Sequence, residues 1–437
     1  MSEISAEISA IERIHQFDKF GIVLGLERME ELLGRIDNPH KGQKYIHVAG
    51  TNGKGSVCKY LEAGLAGCGY KVGVCTSPYI ERFNERIRFD GEDISDEDLE
   101  GTAWRVIEAA ESMVADGLDS PTEFEVVTAI AFLYYKEKSP DYVILEVGMG
   151  GTGDSTNIIE APLASIITSI SFDHMGVLGD TLAEIAGNKA GIIKTGCPVI
   201  SNVPEHEAAK VIARTAYEKG ARLYDVSRIP VAVTDESAEG ETVSMELFGK
   251  SYSGVRIPMT GSHQAQNLKT ALAALEILRA SGKVSLNKDG LYEGLAGARQ
   301  NGRFEVLSHG GDGKPARVID GAHNEAGASA LEATMRECYP GKRVLLVTGI
   351  LADKDVDAIL EHFAGIAERA IATEPDNPRK LAASELAERL EKHGVSAEYE
   401  SDIEKAIELA NQKGNEYDVI LYAGSLYLVG KVRGLVV

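Results

Sequence analysis

The chain has 437 residues, too many for one ordinary hydrophobic core, so two or three domains are expected. Hydrophobic residues make up 44% and charged residues 26%, which excludes a disordered chain, and 45 basic against 67 acidic residues leave a net charge of −22. That charge argues against a nucleic-acid or anionic-membrane surface, and no run approaches the roughly 18 apolar residues of a membrane-spanning helix.

The first residues, M-S-E-I-S-A-E-I, are acidic and lack the apolar core of a signal segment. Apolar residues at helical spacing predict helices over 5–18 and 26–35. Tyr45 to Ala49 is short and apolar and reads as a buried strand. Gly50, Thr51, Asn52, Gly53, Lys54, Gly55 and Ser56 follow, and then Val57, Tyr60, Leu61 and Leu65 recur at helical spacing. Strand, glycine turn and helix are the context of a phosphate-binding loop. Glycines let backbone N–H groups approach an anion, and the helix N-terminus adds a favourable dipole. Lys54 would reach the terminal phosphates and Ser56 would help place a magnesium ion. The string departs from G-x-x-x-x-G-K-[ST], having Val48 for the first glycine and Gly55 at the Ser/Thr position.

A second strand, 71–76, runs into the polar turn Thr76-Ser77-Pro78-Tyr79. Helices are expected from Ser95 to Ala115 and from Glu125 to Tyr135. The apolar strand 141–147 has a carboxylate, Glu146, near its carboxyl end, and a glycine-rich loop leads on to Asp154-Ser155-Thr156-Asn157. Strand 164–171 ends at Asp173-His174, a helix covers 181–190, and 198–200 starts another strand. Strands alternating with helices imply a mostly parallel sheet covered on both faces. Residues 225–258 change to short alternating runs, a small antiparallel β-rich edge, and an alanine-rich helix follows over 267–280. The glycine-containing stretch 297–303 marks a domain boundary, giving units of 1–297 and 298–437. Beyond it a second, Rossmann-like α/β pattern is predicted, with strands at 316–320, 343–348, 369–373 and 418–423. Its helices are expected near 326–337, 355–368, 382–393 and 402–412.

The chemistry-bearing residues collect at strand ends, where open α/β sheets bind ligands. Glu146 is either the magnesium partner of a bound nucleotide or a solvated strand end. His174 is either a metal ligand or a turn residue. Lys189 lies among small and apolar residues, a setting that suggests partial burial, and a buried lysine reacts more easily as a neutral amine. Arg303, Asp320, His323 and Asn324 form a second group, read as a site built between domains or as ordinary turn chemistry. On an acidic chain, Lys54, Lys189 and Arg303 are the cations an anionic substrate would need. The five cysteines, an odd number with no C-x-x-C pair, suggest reduced thiols in a cytoplasmic protein.

Taken together, H-V-A-G-T-N-G-K-G-S at 47–56, T-S-P-Y at 76–79, E-R-I at 85–87 and L-E-V-G-M-G-G at 145–151 resemble the folylpolyglutamate synthase/dihydrofolate synthase family, relatives of the Mur ligases. D-S-T-N at 154–157, D-H at 173–174, K-A-G-I at 189–192, H-Q-A-Q-N at 263–267, G-R-F-E at 302–305 and D-G-A-H-N at 320–324 extend the resemblance over almost the whole chain. It implies a phosphate-loop ATPase domain that also holds the pterin, and a smaller C-terminal glutamate-ligase domain. Lys54 and the loop amides would hold ATP. Ser77, Glu146 and His174 would ligate Mg2+, with a carbamylated Lys189 as a further acidic ligand and a monovalent cation as an additional expectation. Asn267 and Arg303 would contact the nucleotide, and Arg303 would steady the transferred phosphoryl group. Asp320 and His323 would serve the phosphates and the incoming glutamate. Ser425 matches a glutamate-binding position, and Phe124, within 121–125, and Asp154 are assigned to the substrate. The implied reaction phosphorylates a substrate carboxylate with ATP and lets the amine of L-glutamate displace the phosphate. Dihydropteroate and reduced folates are both expected as substrates, and the expected enzyme is a cytoplasmic monomer without nucleic-acid or membrane partners.

Two departures stand out. Thr152 occupies the place of an arginine in the family's G-G-R-L-D, and Asn188 replaces the glutamate of E-K-A-G-I. Two alternatives are a Mur-type ligase acting on another carboxylate and a folylpolyglutamate synthase without the first activity. A cell-wall Mur ligase would need an additional N-terminal domain for which the residues before the phosphate loop are too few. A nucleotide switch would need no second-domain Arg303, Asp320 and His323.

Overall fold

The computed structural model describes residues 8–17, 24–311 and 313–436. The part of the 5–18 helix expectation covering 5–7 and 18 lies outside them; within the described residues that helix is Ala10–His15. Among the described residues the strands form three sheets. The first contains β1 (Tyr45–Ala49), β2 (Val72–Cys75), β3 (Ile87–Phe89), β4 (Glu92–Asp93), β5 (Tyr142–Glu146), β6 (Ala164–Ile167), β7 (Val199–Ser201) and β8 (Leu223–Asp225). The second is β9 (Val231–Ser237), β10 (Gly240–Leu247) and β11 (Lys250–Ile257). The third holds β12 (Glu305–Ser308), β13 (Ala316–Asp320), β14 (Val344–Thr348), β15 (Arg369–Ala372), β16 (Ser396–Tyr399) and β17 (Val419–Ala423).

Two compact units result. One comprises 1–170, 176–228 and 270–294; the other comprises 171–175, 229–269 and 295–437. The expected change-over at 297–303 falls just after Leu295, where the second unit resumes. The β-rich stretch expected as an edge is a sheet of its own, whose strands pair only with one another, and it groups with the second unit. β10 pairs antiparallel with both β9 and β11, so the sheet is a three-stranded meander.

In the first unit the strand order is β4-β3-β2-β5-β1-β6-β7-β8, with β2, β5, β1, β6, β7 and β8 parallel and the β3–β4 hairpin antiparallel. β1 and β5 are buried along their whole length, as strands covered on both faces must be. The chain leaves β1 for β2 on one side, whereas β5 crosses to β6 on the other. The crevice at the carboxyl end of β1 is therefore the topological switch point, the usual ligand position in such sheets. Register places Val48 beside both Glu146 and Ile166, so the three loops that follow these strands emerge together. Helix Glu123–Lys138 is buried from Glu125 to Tyr135, which explains why its apolar residues show no single stripe. Its Tyr135 ring lies where a Cβ on Gly73 would stand, 2.8 Å away, so β2 must carry glycine there.

The second unit's main sheet has the order β12-β13-β17-β14-β15-β16, parallel except for the β12 edge. Separate apolar cores form, one around Phe363, Leu346 and Leu386 and the other around Tyr422, Leu428 and Ile407. No helix among the described residues is long and apolar enough to cross a membrane.

An acidic cluster with one buried member sits in this unit. Glu241 on β10 is fully buried. Burial, then the charges of Glu236 on β9 and Glu337 on helix Glu325–Cys338, push it up to about 8; the Gly261 and Ala265 amides offset part of this. Glu236 rises to about 7 through burial and its hydrogen bond to Glu337, and the neighbouring Cys338 thiol is pushed up to about 12. Glu241 thus keeps a proton in the folded state at pH values where the unfolded chain has released it. Its contribution to stability is complete below the ordinary glutamate range and is lost as pH rises through about 8. Thermal melts across that window are expected to show a falling Tm, and Glu241→Gln is expected to flatten the fall. An equal slope in wild type and Glu241→Gln excludes this titration.

Candidate active site

The glycine turn after β1 is organised by one carbonyl. Gly50 O accepts a hydrogen bond from Lys54 Nζ at 3.0 Å and another from Lys189 Nζ at 3.0 Å. Lys54 Nζ also reaches Thr51 O at 3.1 Å, so its ammonium lies folded over its own loop. The segment after β6 grips the same turn. Thr51 N–H donates to Ser169 O at 2.8 Å, Asn52 N–H to Ser169 Oγ at 3.0 Å, and Thr168 Oγ1 to Asn52 O at 2.6 Å. A Cβ on Gly50 would stand 1.8 Å from Thr168 Oγ1, so this close approach requires glycine. Gly53 has φ +81°, and helix Lys54–Gly67 begins at the next residue, with Gly55 and the buried Ser56 in its first turn. Its N-terminus lies at the glycine turn, in the strand–turn–helix order the sequence predicted.

Glu146 ends β5 buried, 5% exposed, and its Oε2 accepts the Ser77 amide at 3.3 Å. The following loop folds back on Asp154. Asp154 Oδ2 accepts Met149 N–H at 3.0 Å, while Oδ1 accepts Thr156 N–H at 3.0 Å and Thr156 Oγ1–H at 2.5 Å. Burial raises the Asp154 carboxyl, and these donors offset part of that. Behind it, the His47 ring of β1 lies 2.8 Å from Thr156 Oγ1; burial lowers this histidine to about 3, so the imidazole is neutral.

Lys189 ends helix Leu182–Lys189 and is 4% exposed. The glycine-rich loop presses on this helix end: a Cβ on Gly151 would lie 2.7 Å from Asn188 O and 2.9 Å from Lys189 O. Thr152 N–H and Oγ1–H both donate to Asn188 O, at 3.0 and 3.1 Å. Thr152 thus bonds the backbone carbonyl of Asn188 and supports the backbone that carries Lys189. Phe124, in the first turn of helix Glu123–Lys138, packs its ring onto Gly148, where a Cβ would meet Cζ at 2.5 Å.

The second unit carries the other expected residues. Asp320 ends β13 with both oxygens engaged: Oδ2 accepts Phe304 N–H and Oδ1 accepts Ala322 N–H, each at 2.8 Å. Burial raises its carboxyl, and the Arg303 guanidinium counters that. These bonds pin the backbone beside Arg303, where Gly302 and Phe304 have φ +66° and +38°. His323 Nδ1 lies 2.7 Å from Gly321 O, the contact of an Nδ1–H donor. Burial and then the Lys354 ammonium lower this ring to about 4, so it is neutral with its Nε2 lone pair available. Ser425 is buried and its Oγ accepts Tyr427 N–H at 3.2 Å at the start of helix Leu426–Val436. Asn267 lies in helix Ser262–Ala280 with its amide nitrogen 3.3 Å from Gln264 Oε1.

Asp173 and His174 belong to this unit. Asp173 accepts Lys354 Nζ at 2.6 Å and Asn324 Nδ2 at 3.2 Å, and His323 Nε2 stands 3.9 Å away. Burial pushes its carboxyl up, but Lys354, His174 and His323 outweigh that and hold it below the usual carboxylate range. His174 follows with φ +52°, an uncommon conformation outside glycine. Sequence reasoning missed Lys354. Its only local signal is Asp353-Lys354-Asp355 shortly after the end of β14; the partner lies 181 positions away. Among the described residues, no three His, Cys, Asp or Glu side chains stand together as a metal cage. The first-unit donors around the phosphate loop, the Glu146 carboxylate and the Ser77 hydroxyl, are the hard oxygen ligands that magnesium prefers, and they fit such an ion.

A glycine turn gripping two lysines, beside a strand-end carboxylate, and a second α/β unit with its own arginine and histidine define an ATP-dependent ligase of the Mur type. Residues 48–275 match the Mur ligase middle domain, and 302–426 match the Mur ligase glutamate ligase domain. Within that class the chain belongs to the dihydrofolate synthase/folylpolyglutamate synthase family. It is 37% identical to the dihydrofolate synthase/folylpolyglutamate synthase of Bacillus subtilis over 96% of each chain. It is 30% identical to Escherichia coli FolC in complex with DHPP and ADP, with a TM-score of 0.85 over 98% of each chain. A bifunctional folylpolyglutamate synthase/dihydrofolate synthase with Mn, AMPPNP and L-glutamate bound is also 30% identical, with a TM-score of 0.84 over 98% of each chain.

Replacing Gly50 tests the loop directly. Gly50→Ala must displace Thr168 and move the carbonyl that both lysines share. We expect a fall of about 100-fold or more in kcat, with weakened ADP binding by calorimetry and an unchanged circular dichroism spectrum. Wild-type ADP affinity in Gly50→Ala removes Gly50 from the nucleotide site.

Proposed function

We propose that this ligase is bifunctional, adding the first glutamate to dihydropteroate and lengthening the glutamate tail of reduced folates. One observation carries this reading: the near-complete match to a relative named for both activities, with Phe124 and Asp154 set at adjoining loops of the first unit. The free cysteines fit the cytoplasm, where we place it, acting as a monomer.

The chemistry follows from the side chains. The loop amides and Lys54 hold the ATP phosphates, with Asn267 and Arg303 assigned to the nucleotide. The γ-phosphoryl group passes to a substrate carboxylate oxygen, giving an acyl phosphate and ADP, and Arg303 offsets the charge on the phosphoryl oxygens. The glutamate amine then attacks the acyl carbon, phosphate leaves, and the amine nitrogen loses its proton as the amide forms. Asp320 holds the Arg303 backbone in place. His323, neutral, offers Nε2 as a lone pair to the incoming amine, with Ser425 on the glutamate. A divalent cation, when bound through Ser77, Glu146 and His174, screens phosphate charge. Lys189, buried and aimed at Gly50 O, is assigned as a carbamate that supplies a further anionic oxygen. Positioning accounts for most of the rate, so no nucleophilic side chain is required.

Purified protein should release ADP in a glutamate-dependent manner with dihydropteroate and, separately, with a tetrahydrofolate. Release with the tetrahydrofolate alone makes the enzyme a polyglutamate synthase only, a reading that the missing arginine at Thr152 favours. Intact-mass analysis of the native enzyme should show the added mass of one carbon dioxide on Lys189. Lys189→Ala should be inactive and partly rescued by acetate. An active enzyme whose Lys189 carries no addition overturns the carbamate assignment.

A further inference from the structure

The segment before helix Glu27–Arg35 carries no recognised motif, yet it reaches both loops assigned to the substrate. Arg28 grips Glu125 with a two-pronged contact, Nε to Oε2 at 3.1 Å and Nη2 to Oε1 at 3.0 Å. Both side chains are largely buried, with 16% and 4% of their side-chain surface exposed. The same Glu125 closes a capping box on its helix: its Oε2 accepts Thr122 N–H at 2.7 Å and Thr122 Oγ1–H at 3.1 Å, while Thr122 Oγ1 accepts Glu125 N–H. Phe124 lies between these two residues in sequence, so Arg28 fixes the turn that aims its ring.

Three residues before Arg28, Gly25 N–H donates to Gly153 O at 3.1 Å. A Cβ on Gly153 would lie 3.0 Å from both Gly25 N and Leu24 Cβ, so the glycine-rich loop lies tightly against this segment. That loop runs from Gly148, under the Phe124 ring, to Asp154. One short stretch, Leu24 to Arg28, thus braces the helix start bearing Phe124 and the loop bearing Gly148 and Asp154.

We propose that Arg28 is a positioning residue for the pterin-bearing substrate. Through Glu125 it sets the spacing between Phe124 and the 148–154 loop, and so selects for a flat aromatic ring system. The guanidinium is suited to this because its planar fork matches both carboxylate oxygens at once, which a lysine ammonium does not. The inference rests on the folate-ligase reading, with Phe124 on the substrate.

The test uses the full chain and steady-state kinetics, varying the tetrahydrofolate substrate and ATP separately. Arg28→Met should raise the folate KM about tenfold and leave the ATP KM within about twofold, because only one of the two substrates meets the displaced walls. Arg28→Lys should fall between, keeping the charge without the fork. Arg28→Met alone leaves a buried carboxylate unpaired, which destabilises the fold, so Arg28→Met/Glu125→Gln serves as the folded counterpart. This double variant should regain the thermal midpoint but keep the raised folate KM. An unchanged folate KM in the folded double variant, or folate and ATP KM rising together, overturns the proposal. Wild-type enzyme with no glutamate-dependent ADP release on any pterin substrate would instead remove the reading on which it stands.

Discussion

The first unit depends on how closely the backbone at Gly50 can be approached. Its carbonyl receives both Lys54 and Lys189, while its Cα lies against the Thr168 side chain with no space for a methyl group. Both lysine nitrogens are thereby held at the loop that opens helix Lys54–Gly67. A carbonyl has two lone pairs, so it accepts both donors without competition. The parallel sheet serves this point: β1, β5 and β6 end level with one another, and the loops that follow them meet there.

In the second unit the organising contact is the Lys354–Asp173 pair. Two largely buried opposite charges stabilise each other only because further polar groups surround them, here Asn324 and the rings of His174 and His323. Removing Lys354 would leave Asp173 a largely buried anion without its ammonium partner. Burial and then the same cation lower His323, so the lysine acts on two neighbours. Each Asp320 oxygen accepts a backbone amide, and these bonds shape the turn at Arg303.

The Thr152 and Asn188 departures become understandable in the same terms. Where the family carries an arginine and a glutamate, this chain has a hydroxyl and an amide, and the hydroxyl and its own N–H both bond to the Asn188 carbonyl. These bonds hold the backbone next to Lys189. Glycines at 150, 151 and 191 permit this, since a Cβ at any of them would collide with the opposite segment.

Local chemistry in the sequence determined the elements and the identity of the ligand-bearing turns. β-branched and apolar runs bounded by glycine became the strands of both parallel sheets, and the motif at 50–56 became a glycine turn at a helix start. These are short-range preferences, and short-range steric and hydrogen-bond rules suffice to read them. The separate β9–β11 sheet, the burial of Glu241, the Lys354–Asp173 pair and the Arg28–Glu125 fork were decided by tertiary structure. In each ion pair the partners lie far apart in the chain, and a charged residue on its own reads as a solvated one. Only folding removes the water and leaves a specific opposite charge as the remaining favourable partner.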